Sequence, residues 1–303
     1  VLVLDEEGRR LGSVGGTGTE PGRLRGPLGI DAWPDGRFAV VDAGNRRVQV
    51  LALDGTPSAL ITDTSELPLI DVAVAADNEL LVAGLRRVVR YDLAGPIMRA
   101  VSGAPVPGGF TGVAAFPDPS GTFTGTMYAA LNHDYLTGVR RFTGGVLYPH
   151  EDFLALPGPA GELSSPRRIA VGSGVLTLLD AWPRLVRWSP TGAPLSQVGL
   201  ESASDAEPAG QETILARSGE VRRMLGSDEH GVWRPMTGTV WTAGIAYDPV
   251  LDRTWAVDLR GQAVHVLDRT MAEVGHWSLA DAGAPGAYQS ITDIAWAGSD
   301  RLM

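Results

Sequence analysis

Few residues in this chain have side chains suited to chemistry, and they fall in two places. In Leu131-Asn132-His133-Asp134-Tyr135 an imidazole stands beside a carboxylate, a pair that can serve as general base or metal ligand. The other histidines, His150, His230, His265 and His276, show no ligand spacing to it, so an ordinary loop accommodates His133 and Asp134 equally well. The second place is a set of carboxylates, Asp31, Asp71 and Asp293, with Arg168, each at or near the start of a short apolar run. If those runs line one channel, the three carboxylates converge near its mouth with Arg168 opposite. They would then hold a divalent cation such as calcium, or a polar ligand; a water-filled channel is the alternative. The chain has no Cys, which excludes disulfides, thiolate catalysis and Cys-based zinc sites.

The elements that must position these residues are strands. The chain has 303 residues with 39 Gly and 21 Pro and 20% charged residues, and no long stretch with helical periodicity. Residues 26–55 show the unit: apolar runs at 30–33, 38–41 and 48–53, cut by Pro34-Asp35-Gly36, Ala43-Gly44-Asn45 and Asp54-Gly55. Short β-rich runs punctuated by Gly, Pro, Asp and Asn are strands joined by tight turns. Such units return with first strands at 71–75, 112–116, 168–171 and 244–247, stepping by about 40 residues at first, which matches a propeller blade, and by more where insertions intervene. Residues 1–14 read as the outer half of a unit and 293–303 as the inner half, so the two ends are expected to pair into one composite blade. The expectation is an all-β, six-bladed propeller of four-stranded blades, one domain over 1–303, with an insertion at about 201–239.

Charge narrows the partners. The net charge is −10, and every basic residue is Arg; an acidic chain lacks the field that draws in a phosphate backbone. No run reaches the roughly 18 apolar residues of a membrane span. Val1 already reads as mid-repeat strand, so the chain is expected to be a processed or cut piece of a longer protein.

Residues 15–55 resemble the NHL-repeat propellers. The match runs through Gly15-Gly16, Pro27, Gly29-Ile30, Asp35-Gly36, Asp42, Gly44-Asn45, Arg47-Val48 and Asp54-Gly55. It thins later to Asp180 with Arg184, Asp258 and Arg87-Val88. The resemblance implies that Asp42 with Arg47, and Asp180 with Arg184, tie neighbouring loops through charge-assisted hydrogen bonds. It also implies that second-to-third-strand loops and blade-to-blade connections share one face, where related propellers bind or catalyse. On that face the sequence puts Asn132, His133, Tyr135, Trp182, Arg168, Arg222, Arg223 and Trp233, the last three within the 201–239 insertion, itself either a partner contact or passive decoration.

Two functions follow as expectations. One is a non-catalytic scaffold binding a protein or glycan through the loop-rich face. The other is an enzyme similar to propeller lactonases or lyases, with an axial divalent metal held by Asp31, Asp71 and Asp293. Nucleic acid and membrane insertion are not expected. Family habit places such a domain in a surface or envelope-associated, extracytoplasmic assembly of a bacterium.

Overall fold

The computed structural model describes residues 1–5, 10–62, 68–76, 78–85, 87–93, 99–105, 109–115, 127–132, 137–142, 152–153, 163–172, 174–181, 184–200, 203–235, 242–259, 262–278, 294–295 and 301–302. Strands β1 (Leu2–Asp5) and β2 (Arg10–Ser13) come first, and the opening unit then gives β3 (Pro27–Ala32), β4 (Phe38–Asp42), β5 (Arg47–Leu51) and β6 (Pro57–Ile61). Each later unit repeats the four-stranded antiparallel meander: β7 to β10 (Leu69–Ala76, Glu79–Gly84, Arg87–Asp92, Arg99–Pro105), β11 to β14 (Gly109–Ala115, Met127–Asn132, Gly138–Phe142, Asp152–Phe153) and β15 to β18 (Pro166–Gly172, Val175–Asp180, Arg184–Trp188, Pro194–Gly199). It continues with β19 to β22 (Asp205–Ala209, Glu212–Arg217, Glu220–Leu225, Asp228–Trp233) and β23 to β26 (Thr242–Asp248, Arg253–Asp258, Ala263–Leu267, Glu273–Ser278). The last strand, β27 (Arg301–Leu302), pairs antiparallel with β1, Leu4 opposite Leu302, to make the composite sheet β2-β1-β27.

The middle strands explain why the chain is cut this way. In β4 and β5 every residue is buried, because both faces of a blade are covered by its neighbours; β4 meets this with the continuous apolar run Phe38–Val41, and in β5 the buried Arg47 and Gln49 are hydrogen-bonded to Asp42. Outer strands such as β18 are largely exposed and more polar. Between consecutive blades lies one apolar layer. Trp33, Val41 and Val50 meet Val72, Val82 and Tyr91, and Tyr128 and Val139 meet Leu176, Val186 and Trp188. At the join, Leu4 and Ile294 pack on Trp255 and Trp277, while Val3 and Val14 pack on Phe38 and Leu51. The composite sheet is thus wedged between the first and last complete blades and closes the ring, which removes sheet edges that would invite strand addition.

The all-β architecture, the four-stranded blades and the composite closure stand as the sequence implies. One element is corrected. Residues 201–239 are not an insertion on a face: 205–233 form the blade β19 to β22, so six blades are four-stranded and the composite sheet stands beside them as a seventh. The blade was concealed because its buried positions are unusually polar, with Asp205, Thr213, Arg217, Glu220 and Arg223 all buried. Its inner strand, Asp-Ala-Glu-Pro-Ala, carries none of the β-branched residues that signal a strand. Pro208 is tolerated there because the innermost strand is an edge toward the channel.

Candidate functional site

The first strand of each blade lines the central channel, a cavity of about 550 Å³. Aligned on their starts, these strands read Gly29-Ile30-Asp31, Asp71-Val72-Ala73, Gly112-Val113-Ala114, Arg168-Ile169-Ala170, Asp205-Ala206-Glu207 and Gly244-Ile245-Ala246, with Ile294-Ala295 completing the wall. Most of that wall is apolar. Its charged groups are Asp31, Asp71, Glu207 and Arg168.

An innermost strand has a bonded neighbour on one side only, so some of its peptide N–H groups face the channel and need acceptors. The carboxylates supply them, and each one bridges two blades. Asp71 on β7 accepts the N–H of Val72 at 2.9 Å and that of Val113, on β11, at 3.1 Å. Asp31 on β3 accepts from Ala32 at 2.8 Å and from Val74, on β7, at 2.7 Å. Asp205 on β19 accepts from Ala206 and from Ile245, on β23, both at 2.9 Å. Arg168 Nε lies 3.1 Å from Asp205 Oδ1, which adds β15 to that chain. Losing a buried carboxylate of this kind costs about 3 kcal/mol through the partners left unsatisfied.

The small residues of the same column make room for the bridge. A Cβ at Gly29 would stand 2.7 Å from Asp71 Oδ1 and 3.3 Å from its Cα, and one at Gly112 would stand 3.3 Å from Asp71 Oδ2. Asp71 is therefore seated between Gly29, where a Cβ would force a shift, and Gly112, where one would be tight.

At the loop-rich mouth a smaller pocket of about 170 Å³ is formed by the starts of β3, β7, β11 and β15, including Leu28, Ile70, Thr111, Arg167 and Arg168. Asn132, exposed at the end of β12, donates Nδ2–H to Ser165 Oγ at 2.6 Å on the same face. The two loop-tying devices are present. Asp42, fully buried, accepts from Arg25 N–H, Asn45 Nδ2, Arg47 Nε and Gln49 Nε2 at 2.6 to 3.0 Å. Asp180 accepts from the N–H groups of Ser164, Ser165 and Ala181 and from Arg184 Nε at 2.7 to 3.0 Å. Burial alone would raise the Asp180 pKa, but these donors and the Arg184 charge outweigh it and hold the carboxyl below its ordinary value.

The sequence-predicted residues do not form one constellation. Asp31, Asp71 and Arg168 share the channel wall. Asp293, His133, Asp134, Tyr135 and Trp182 lie outside the described residues. Arg222, Arg223 and Trp233 belong to the outer strands of β19 to β22, and their placement on the loop-rich face is corrected. Arg223 is buried between Glu212 and Asp252 at 2.6 Å from each, Arg222 pairs with Glu220 and Glu229, and Trp233 Nε1 donates to Glu273 at 3.0 Å. Arg223 and Trp233 tie the blade to its neighbour through Asp252 and Glu273, whereas the Arg222 pairs lie within the blade.

Among the described residues no three His, Asp or Glu side chains gather to hold a metal ion. Each oxygen of Asp31 and of Asp71 accepts one peptide N–H. Glu207 on the channel wall and the buried Asp205 are the residues that reading by motif missed. The signal for them was there, since Asp205-Ala206-Glu207 repeats the spacing of Asp71-Val72-Ala73 and is followed by a turn at Gly210-Gln211.

No protein-family model and no curated protein matches the sequence. Solved structures do. A Myceliophteria thermophila Cps50 (Swd1) beta-propeller domain superposes with a TM-score of 0.69 at 13% identity, covering 96% of this chain and 98% of that one. The chain is a β-propeller. A streptogramin B lyase superposes at 0.71 with 13% identity over 94% and 90%, and a Kuenenia stuttgartiensis hydrazine synthase at 0.68 with 12% identity over 94% and 93%. Identities this low show the shared propeller fold and carry no activity with it.

Proposed function

We propose that this propeller is a non-catalytic scaffold of NHL type that binds a protein or glycan partner through its loop-rich face. The observation that carries the reading is the use of three first-strand carboxylates: Asp31, Asp71 and Asp205 each place both oxygens on peptide N–H groups of two adjacent blades. Groups committed to holding the ring together are structural. The loop-rich face, by contrast, presents exposed side chains at Arg25, Arg46, Asn132 and Arg167. Propellers whose first strands form a rigid barrel and whose loops vary suit recognition, since binding residues concentrate on loops held by a rigid frame.

The test is capture by the immobilised protein with chemical cross-linking, comparing the loop-face variant Arg25→Glu/Arg46→Glu with the opposite-face variant Asp35→Arg/Asp54→Arg. Loss of the captured partner only in the loop-face variant supports the reading; loss only in the opposite-face variant refutes it. An axial metal-dependent lyase or lactonase would require Asp31 and Asp71 to turn from N–H donors to a cation, and stability under chelation separates the two.

A further inference from the structure

On the outer half of the last complete blade two histidines stand side by side. His265 on β25 and His276 on β26 are directly opposite residues of an antiparallel pair, so their side chains leave the same face of the sheet. The two rings are stacked with centres 6.1 Å apart. Both Nδ1 atoms approach one oxygen, Glu273 Oε1, at 3.2 Å from His265 and 3.8 Å from His276. Trp233 of the neighbouring blade donates Nε1–H to the other oxygen, Glu273 Oε2, at 3.0 Å, and its ring centre lies 4.6 Å from that of His265. The carboxylate is therefore pinned between the two blades.

This arrangement sets the tautomer. An ionised carboxylate only accepts, so Nδ1 of His265 carries the proton and donates it, and the lone pair of the neutral ring stands on Nε2. The same negative charge favours that tautomer in His276. Among the described residues neither Nε2 has a hydrogen-bond partner, and neither is sealed from solvent. The His276 side chain is 63% exposed, so its ring is able to turn.

We propose that His265 and His276 chelate one divalent ion of the zinc, nickel and copper group through Nε2, with water completing the coordination. Imidazole nitrogen suits these ions. Glu273 orients the two rings and does not bind the ion, in keeping with the absence of a three-ligand cluster among the described residues. A histidine that binds a metal through one nitrogen typically donates its other N–H to a carboxylate, which fixes the ring and raises its basicity. Two imidazoles on one zinc, each at about 2.0–2.1 Å, have ring centres roughly 5 Å apart, and a small turn of the exposed His276 closes that difference. Calcium seeks oxygen ligands and does not enter a two-imidazole site, so this ion is distinct from the one that channel carboxylates would hold.

The experiment is calorimetric titration of the chelator-treated full chain with zinc, nickel and magnesium chlorides at neutral pH. Zinc and nickel are expected to bind at one ion per chain, and magnesium not at all. His276→Ala and His265→Ala should each weaken zinc tenfold or more, and His276→Ala, at an exposed position, should melt with the parent when no metal is present. Glu273→Gln should weaken zinc about tenfold. His133→Ala and His230→Ala should bind zinc as the parent does. No zinc binding overturns the proposal, as does affinity unchanged in His276→Ala, binding lost in His133→Ala or His230→Ala, or magnesium bound as tightly as zinc.

Discussion

Asp71 on one first strand accepts the peptide N–H of Val113 on the next, at 3.1 Å, while its other oxygen takes the N–H of Val72. The same relation joins Asp205 to Ile245 and Asp31 to Val74. Carboxylates that look from sequence like a convergent ligand set are in the structure a repeated device for joining blades at the channel wall.

Asp205 is the most heavily used of them, and almost fully buried. Asp205→Ala removes the acceptor for two N–H groups and the partner of Arg168, and should lower unfolding free energy by about 3 kcal/mol. Asp205→Asn keeps one acceptor and should cost about half as much. Urea unfolding measures both.

Gly29→Ala tests the packing around Asp71. The φ of Gly29 is ordinary, so the penalty is steric alone and should fall at about 1 to 3 kcal/mol. Gly12→Ala, whose Cβ would meet nothing within 4 Å, should be neutral or stabilising by a few tenths of a kcal/mol. Thermal melts of the two variants side by side give the comparison.

Arg47→Lys removes the planar fork that holds Asp42 Oδ2 at 2.7 Å and the carbonyl oxygens of Glu20 and Arg23 at 2.9 and 2.8 Å. A lysine ammonium cannot span those three acceptors. A loss of about 1 to 3 kcal/mol is expected, read by urea unfolding, and proteolytic cleavage within 15–26 should accelerate.

Acid stability follows from Asp180. Its pKa is depressed in the folded chain, so its contribution is present above the unfolded aspartate value and is lost as pH falls through the folded value. Stability should therefore decline below about pH 4, and Asp180→Asn, less stable at pH 7, should show a flatter acid limb. Melting temperatures from pH 2 to pH 7 display the slope.

Much of the architecture was legible in sequence wherever blades keep apolar middle strands and Asp-Gly turns, as in 26–55. Asp42 with Arg47 and Asp180 with Arg184 were legible as pairs because both partners lie within five residues on adjoining strands. The blade 205–233 was not, since charge pairing between Arg223, Glu212 and Asp252 replaces part of its apolar packing. The bridging role of Asp31 and Asp71 was hidden for another reason. Their partners are peptide N–H groups some 40 residues away, and a backbone donor leaves no trace in residue identity.

The most direct test compares the melting temperature of the parent and Asp71→Asn in calcium and in EDTA. If the carboxylate bridges blades, chelation leaves the parent unchanged and Asp71→Asn melts a few degrees lower by the same amount in both solutions. If the parent falls on chelation and Asp71→Asn does not fall further, the carboxylate holds a cation, and the structural account of the channel is contradicted.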